Sequence, residues 1–332
     1  MKRTIIVILG ICFLSLPLFS QNPNLGSAGA KFLQIPVGAR ATAMGGACVG
    51  LADDASAVFW NPAGIARVEN NDVQFSSMRW LGAFDVNAAS LVHSLGESGV
   101  LAASAIVLSM DRMEVTTESQ PNGTGQFFDA QDLALGLTYA RFLTDRFSVG
   151  VTGKYIYERI WNEVADGIAF DIGTQYRIDF QNLTIAMSMT NFGGDLQFNG
   201  PELNITYLRD KNFPTSRLAP ARYEPDAYPM PLHFQVGMGM DFYRSEVVSV
   251  RGAVDAAHPS DNRERINAGI ESTFFDRISL RGGYRYHYDD ESFTFGAGAT
   301  LPFAGSLLAF DYAYSIYDIL PNVQRISVGV VF

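Results

Sequence analysis

From Asp72 onward, large apolar residues alternate with small or polar residues. In the run FSVGVTGKYIYE at 147–158, the odd positions are large and apolar except for Gly153, and most even positions are small or polar. A period of two is typical of a β-strand whose faces meet different surroundings. About fourteen such segments recur, each of about 10 residues, the length with which a tilted strand crosses a membrane. They lie near 72–80, 86–94, 99–109, 131–142, 147–158, 166–178, 183–192, 232–243, 246–257, 263–275, 277–287, 291–302, 305–316 and 322–332.

The second face of these strands indicates the fold class. It carries Gly, Ala, Ser and Thr with isolated charges of both signs, whereas a water-soluble sandwich turns its charges outward and its large apolar residues inward. The pattern predicts an all-β protein, a 14-stranded antiparallel transmembrane β-barrel with apolar residues facing lipid and a filled polar lumen. The predicted lumen charges are Lys154, Asp171, Arg177, Asp241, Arg251, Asp255, Glu271, Arg281, Arg285 and Asp311.

The connections between the segments differ in length in a regular way. One set is tight, whereas the other set contains two long loops, near 111–130 and 193–231. Bacterial barrels have short turns at the periplasmic end and longer loops outside the cell. We therefore expect a protein of the bacterial outer membrane with both termini in the periplasm.

The stretch from Val37 to Ala66 is unlike the rest because it is rich in Gly and Ala and lacks the two-residue period. We expect it to fill the barrel, with Asp53 capping a short helix over 55–59 and Asn61-Pro62 forming a turn. An ordinary N-terminal loop and helix is the alternative. The predicted division is a signal peptide over 1–20, a leader and hatch over 21–71, and the barrel over 72–332.

Composition agrees with a membrane barrel more than with a large soluble β protein. Charged residues make up 17% and aromatic residues 12% of the chain, whereas soluble domains average about 25% charged residues. Lys2 and Arg3 precede an apolar run that is typical of a secretory signal, with cleavage expected after Ser20. The formal net charge of −10 disfavours nucleic acid as a partner.

Enzymatic chemistry finds little support in the sequence. We find no zinc-protease helix motif, no phosphate-binding Gly-Lys-Ser/Thr loop and no Cys-x-x-Cys, so we predict no enzyme, no metal and no cofactor. Asp53 and Asp54 have no histidine or nucleophile nearby in the chain, which favours a cap or a contact within the hatch. The acidic run over 287–291 could bind a cation, although acidic surface hairpins are common in barrels.

The N-terminal stretch resembles the PorV/PorQ family, which belongs to the wider superfamily of FadL-like fatty-acid-transporter barrels. The resemblance is carried by Phe32-Leu33, GARA at 38–41, MGGA at 44–47, ADD at 52–54 and WNPAG at 60–64. It implies a hatch that plugs a fourteen-stranded barrel. The residues to which it assigns this role are Arg40, Gly45, Gly46, Asp53, Asp54, Trp60, Asn61, Pro62, Ala63 and Gly64.

The resemblance implies one of two functions. PorV-like members act in type IX secretion, where they occupy the side opening of a giant translocon barrel and carry cargo that bears a C-terminal signal domain. FadL-like members pass long-chain fatty acids or other hydrophobic molecules through the barrel wall. Predicted partners are thus outer-membrane lipids with a large translocon barrel or secreted cargo, or a hydrophobic small molecule.

Two groups of residues allow a sharper expectation. Prolines and aromatics fill the loop over 193–231, which suits partner binding, although a lid over the barrel is the alternative. The partner-binding candidates are Tyr207, Phe213, Tyr223 and Tyr228. Arg40 is expected to pair with a lumen carboxylate such as Asp171 or Asp241, because a confined charge needs a partner; a solvated loop arginine is the alternative.

Overall fold

The computed structural model of the chain describes residues 24–82, 84–208 and 218–332. The predicted signal peptide over 1–20 and the loop residue Phe213 lie outside the described residues. Within the described ranges, fourteen strands form one closed antiparallel barrel, in which each strand pairs with its sequence neighbours and the first closes on the last. The predicted fold class is confirmed.

The barrel strands correspond one to one with the fourteen predicted segments. We number them β1 to β14 in chain order: Asp72–Arg79, Phe84–Ser94, Val100–Met110, Ala130–Thr144, Phe147–Ile160, Glu163–Arg177, Thr184–Gly193, His233–Arg244, Val248–Pro259, Arg265–Phe274, Ile278–Tyr286, Glu291–Phe303, Ser306–Tyr317 and Val323–Val331. Closure pairs β1 with β14, with Asp72 opposite Val331 and Met78 opposite Arg325.

The two faces of the wall follow the alternation in the sequence. On β4, Leu135, Leu137 and Tyr139 are exposed on the outer surface, and Leu137 reaches 74% exposure. Their neighbours Ala134 and Thr138 are buried on the lumen side. The large apolar residues thus face outward, as a lipid-facing wall requires.

The connections alternate between a short-turn end and a long-loop end of the barrel. The long connections follow β3 and β7, and each contains a two-stranded hairpin of its own. The first hairpin pairs Met113–Glu114 with Phe127–Phe128, and the second pairs Asn204–Leu208 with Leu218–Arg222. No helix in the described part of the chain is long and apolar enough to cross a membrane.

The N-terminal residues run through the lumen. They form the 3-10 helix Lys31–Gln34, the short helix α1 over Ala39–Ala43, and the 3-10 helices Ala55–Phe59 and Pro62–Arg67. We call residues 37–67 the inner segment. Its helix α1 contacts β11 to β14, and the helix over Pro62–Arg67 contacts β3 to β6. The segment therefore bridges opposite sides of the wall.

The inner segment enters the barrel at one end and leaves it at the other, whereas the sequence analysis expected both termini at the periplasmic end. Gly26 N–H donates to the Asp261 carbonyl (3.0 Å) and Gly29 N–H to the Pro229 carbonyl (3.0 Å), both at the long-loop end. Asn71 pairs with Phe332 at the short-turn end (3.1 Å). The first described residues and the end of β14 thus lie at opposite ends of the barrel, because the inner segment crosses its full length.

Close approach between the inner segment and the wall depends on glycines of the strands. A Cβ at Gly173 would overlap the Asn61 side-chain oxygen and lie 2.8 Å from Pro62 Cδ. A Cβ at Gly150 would lie 2.6 Å from the Ala63 nitrogen. Even a methyl group at these two positions would push the inner segment away from β5 and β6.

We predict that Gly173→Ala destabilises the protein, whereas Gly282→Ala does not. Overpacking a filled interior costs about 1–3 kcal/mol, and a Cβ at Gly282 meets no atom within 4 Å. Thermal unfolding of the two detergent-purified variants, followed by circular dichroism, measures the difference. Equal transition temperatures would show that the inner segment does not press on β6.

Candidate functional site

Asn61 fixes the middle of the inner segment to the wall. Its side chain is fully buried, and Oδ1 accepts from Ala63 N–H (3.1 Å), which caps the helix over Pro62–Arg67. Nδ2 donates to the carbonyl of Val49 (3.0 Å) and to that of Thr174 in β6 (3.2 Å). One side-chain amide therefore forms hydrogen bonds with the turn, with the preceding loop and with a barrel strand. Each of its buried polar atoms has a partner, as is usual for buried polar groups.

The remaining residues of the WNPAG motif are also held in place. Trp60 Nε1 donates to the Val37 carbonyl (2.9 Å), which links the two ends of the inner segment. The Ala63 carbonyl accepts from Ser148 Oγ on β5 (3.2 Å). Pro62 is the first residue of its helix, where its missing N–H costs no hydrogen bond, and Gly64 packs against Ala52.

Gly45 and Gly46 form the bend after α1. Both have positive φ values, 71° and 82°, which glycine adopts without strain. A Cβ at Gly45 would lie 3.0 Å from the Tyr284 nitrogen of β11, and one at Gly46 would lie 3.3 Å from the Trp60 ring. The bend therefore needs glycine both for its conformation and for its contact with the wall.

Arg40 is the centre of an ion-pair network inside the barrel. Its guanidinium contacts Asp53 (2.6 Å), Asp54 (2.6 Å) and Glu271 of β10 (3.2 Å). The expectation of a lumen carboxylate as partner is met by Glu271, but the two named candidates, Asp171 and Asp241, are wrong. The reason is the position of α1, which packs against β11 to β14, whereas Asp171 lies on β6.

Three further predicted lumen charges complete this network. Arg251 contacts Glu271 (2.5 Å) and Asp53 (3.0 Å). Arg281 contacts Glu271 (2.6 Å) and Asp311 of β13 (2.5 Å). Glu271, whose side chain is only 1% exposed, accepts from three guanidiniums. The network ties the inner segment to β9, β10, β11 and β13.

Burial and charge act in opposite directions on this network. Burial alone would lower the pKa of Arg40, but Asp53, Glu271 and Asp54 outweigh it and raise that pKa well above its usual value. Burial alone would raise the pKa of Asp53, but Arg40 and Arg251 hold it below its usual value. The pairing therefore keeps the inner-segment groups charged.

Asp54, not Asp53, caps the helix over Ala55–Phe59. Asp54 Oδ1 accepts from Ser56 N–H (2.9 Å), and its other oxygen contacts Arg40. Asp53 instead spans Arg40 and Arg251. The sequence placed the cap one residue too early, because either aspartate can serve as the residue before a short helix.

The other predicted lumen charges lie apart from the network. Lys154 pairs with Asp171 (2.8 Å), and Asp171 also accepts from Asn191 N–H (2.8 Å). Asp241 accepts from Asn182 Nδ2 (2.7 Å). Arg285 donates to the Gly45 carbonyl (3.1 Å) and pairs with Glu291, so it holds the bend after α1.

A cavity of about 830 Å³ lies in the lumen at the long-loop end. Its wall combines aromatic and aliphatic side chains with charged ones, and Trp60 of the inner segment lines it. Sequence reasoning did not single out Asp132, Glu158 or Arg265, which line it as well. The available signal was the two-residue period, which puts Asp132 on the same face as the buried Ala134.

The loop residues proposed for partner binding separate into two groups. Tyr207 lies on the second hairpin and Tyr223 directly follows it, and these residues are 54% and 63% exposed. Tyr228 instead folds over the lumen, where its hydroxyl donates to Glu158 (2.8 Å) and its ring centroid lies 5.9 Å from that of Phe198. The base of the loop, which includes Tyr228, therefore folds over the lumen as a lid, whereas the hairpin of the loop is exposed.

We predict that Glu271→Gln lowers the free energy of unfolding by about 3–5 kcal/mol, since it removes the one buried carboxylate that three largely enclosed guanidiniums share. Asp179→Asn is the matched control because the Arg146–Asp179 pair is exposed, and such a pair contributes about 0–1 kcal/mol. Urea unfolding of both variants in detergent measures the difference. A loss that is no larger for Glu271→Gln would contradict a stabilising network.

The fold is similar to those of several solved structures. The Ralstonia pickettii toluene transporter TbuX matches with a TM-score of 0.54 and 13% identity, over 89% of this chain and 97% of that one. The Pseudomonas putida toluene transporter TodX matches with 0.54 and 13%, over 87% and 96%. A Pseudomonas aeruginosa FadL homologue matches with 0.56 and 11%, over 90% and 98%. At these identities the likeness concerns the fold alone.

The sequence itself identifies the family. No curated protein matches the chain. Residues 19–190, slightly more than half of the chain, match the family described as type IX secretion system protein PorV. This range includes the inner segment and strands β1 to β6, and within it Asn61 contacts β6 and Ala63 contacts β5. The chain is an outer-membrane β-barrel that belongs to the PorV family of the type IX secretion system.

Proposed function

We propose that this protein is an accessory of type IX secretion that binds the translocon barrel or the C-terminal signal domain of cargo through its long loops. In this role the inner segment is a hatch that keeps the barrel closed. The observation that carries the proposal is the exposure of Tyr207, on the second hairpin, and of Tyr223, which directly follows it, beyond a filled barrel. Membership of the PorV family indicates that the partners belong to the type IX secretion machinery.

The filled lumen supports a binding role over a wide pore. Asn61, the strand glycines and the Glu271 network attach the inner segment to opposite sides of the wall. Removing such a segment would expose buried charges on both surfaces, at a cost of several kcal/mol for each uncompensated group. A closed barrel then serves as a membrane-embedded support for the loops.

The second hairpin is held at its base. Glu202 N–H donates to Glu163 Oε1 (2.7 Å) at the start of β6, and Asn162 Nδ2 donates to Glu202 Oε1 (3.1 Å). Arg222 at the end of the hairpin donates to Asn199. Fixing a loop before it binds reduces the entropy lost on binding, and exposed tyrosines make effective anchors. We place this long-loop end outside the cell, as in other bacterial barrels.

We predict that Tyr207→Ser combined with Tyr223→Ser impairs secretion while the barrel still inserts. Loss of two anchor residues typically costs more than 2 kcal/mol of binding energy, so co-purification of the translocon barrel or cargo should fall more than about tenfold. The readouts are a gentle-detergent pull-down with mass spectrometry and the amount of cargo outside the cell.

Phe127→Ser is the matched control for this experiment, because Phe127 is 56% exposed on the first hairpin. In this variant, the amount of co-purified partner protein and the amount of secreted cargo should stay at wild-type levels. Unchanged secretion in the double tyrosine variant, or equal losses in all variants, would argue against partner binding through the second hairpin.

A second candidate function is passage of hydrophobic compounds, and the cavity of about 830 Å³ is the observation that favours it. Two of the structural neighbours are toluene transporters. The cavity wall is not continuously apolar, however, since it includes Asp132, Glu158 and Arg265.

The two candidates predict different uptake. If the protein serves secretion alone, cells that lack it should take up radiolabelled toluene and oleate at the wild-type rate. A transporter predicts a severalfold slower uptake that the intact gene restores. Measuring uptake and cargo secretion in the same strains separates the two functions.

A further inference from the structure

Three parts of the wall of the cavity at the long-loop end differ in chemistry; the Lys154–Asp171 pair and the acidic residues Asp289, Asp290 and Glu291 also line the cavity. Strands β10 and β11 contribute Arg265, Asn267 and Arg285, and strands β4 and β5 contribute Asp132 and Glu158. Between them, around the ring of strands, an apolar wall extends from β13 through β1 to β3. Its side chains come from Tyr317, Trp80, Leu81, Phe84, Ile106 and Leu108.

The acidic wall consists of two carboxylates that lie directly opposite each other. Asp132 and Glu158 are register partners across β4 and β5, and like charges in this relation are destabilising. Glu158 is buried and accepts from the Tyr228 hydroxyl (2.8 Å). Among the residues that the structure describes, neither carboxylate forms an ion pair. A cation beside them would remove the repulsion.

On the basic wall, Arg265 lacks an anionic partner in the described part of the chain. Arg265 forms no ion pair with any described residue; its guanidinium lies 4.3 Å from the centroid of the Tyr288 ring, and its buried Nε has no acceptor. Arg285 is already paired with Glu291. Asn267 is 2% exposed, lines the cavity and has an unpartnered Oδ1. A buried polar group without a partner is unfavourable, so this wall favours a ligand with polar atoms.

The two charged walls lie on nearly opposite sides of the lumen. Strand β10 is six strands from β4 in a closed ring of fourteen. A ligand that reaches both walls must therefore be elongated, and its middle must suit the aromatic and aliphatic side chains between them. These are the requirements of a molecule with opposite charges at its two ends and an apolar body.

We propose that the cavity binds an elongated zwitterion, with its cationic group at Asp132 and Glu158, its anionic group at Arg265, and its apolar body along Trp80, Phe84 and Leu108. A plain hydrocarbon would leave Asp132, Glu158 and Arg265 in a desolvated cavity without an ion-pair partner. A fatty acid would compensate Arg265 but would leave the carboxylate pair without a cation. This ligand class is independent of the secretion role proposed above.

The first test compares three probes of equal length in a neutral maltoside detergent: 12-aminododecanoate, dodecanoate and dodecylamine. Trp60 and Trp80 line the cavity, so tryptophan fluorescence reports binding, and calorimetry gives the dissociation constants. A hydrogen-bonded charge contributes about tenfold or more to affinity. We therefore expect 12-aminododecanoate to bind at least about tenfold more tightly than either single-charged probe. Equal or tighter binding of dodecanoate, or no binding of any probe, would overturn the proposal.

The second test assigns each end of the ligand to its wall. Asp132→Asn should weaken 12-aminododecanoate and dodecylamine about tenfold and leave dodecanoate unchanged or tighter. Arg265→Gln should weaken 12-aminododecanoate and dodecanoate and spare dodecylamine. Because Asp132→Asn removes a like-charge contact, a weaker binding of the amine probes cannot be ascribed to unfolding if its transition temperature stays at or above wild type.

Two control variants carry the same changes outside the cavity. Asp166→Asn alters an exposed carboxylate of β6, and Arg112→Gln alters an exposed arginine in the β3–β4 loop. Neither should change the affinity for any probe. If Asp132→Asn and Arg265→Gln affected all three probes equally, or matched these controls, the two-ended assignment would be wrong.

Discussion

The structure depends on one buried carboxylate, Glu271, and the three guanidiniums that surround it. Arg251 and Arg281 reach it from the neighbouring strands, and Arg40 reaches it from the inner segment. A carboxylate that is 1% exposed inside a barrel is stable only with such compensation. The same contact therefore keeps the wall charges inside the lumen and holds the segment that fills it. On the opposite side of the barrel, Asn61 attaches the inner segment to the wall through neutral hydrogen bonds.

Much of this architecture could be predicted from the sequence because its signals are local. The two-residue period located all fourteen strands, since each strand has one lipid-facing and one lumen-facing surface. The motif around Asn61 indicated an unusual segment, and the isolated charges of β9 to β11 indicated a polar interior. These features depend on residue type and spacing within about ten positions, which a single sequence displays.

The errors concern contacts between distant parts of the chain. Asp171 and Glu271 look alike as lumen carboxylates, and only the side of the barrel on which α1 packs selects Glu271 for Arg40. Tyr228 belongs to the same Pro-rich loop as the exposed tyrosines, but it lies over Gly29 and its hydroxyl donates a hydrogen bond to Glu158. The cavity was not predicted because its lining comes from strands β2 to β13 and from the N-terminal residues, which are far apart in sequence.

The path of the inner segment constrains how the barrel forms. The segment enters at the long-loop end and leaves at the short-turn end, with Arg40 and Trp60 enclosed. If the ring closed first, these bulky side chains would have to be drawn through a complete wall past tightly fitted glycines such as Gly150. Closing the wall around the segment, at any one seam between strands, avoids this passage. The tight fit therefore limits the routes by which the inner segment and the barrel wall can come together.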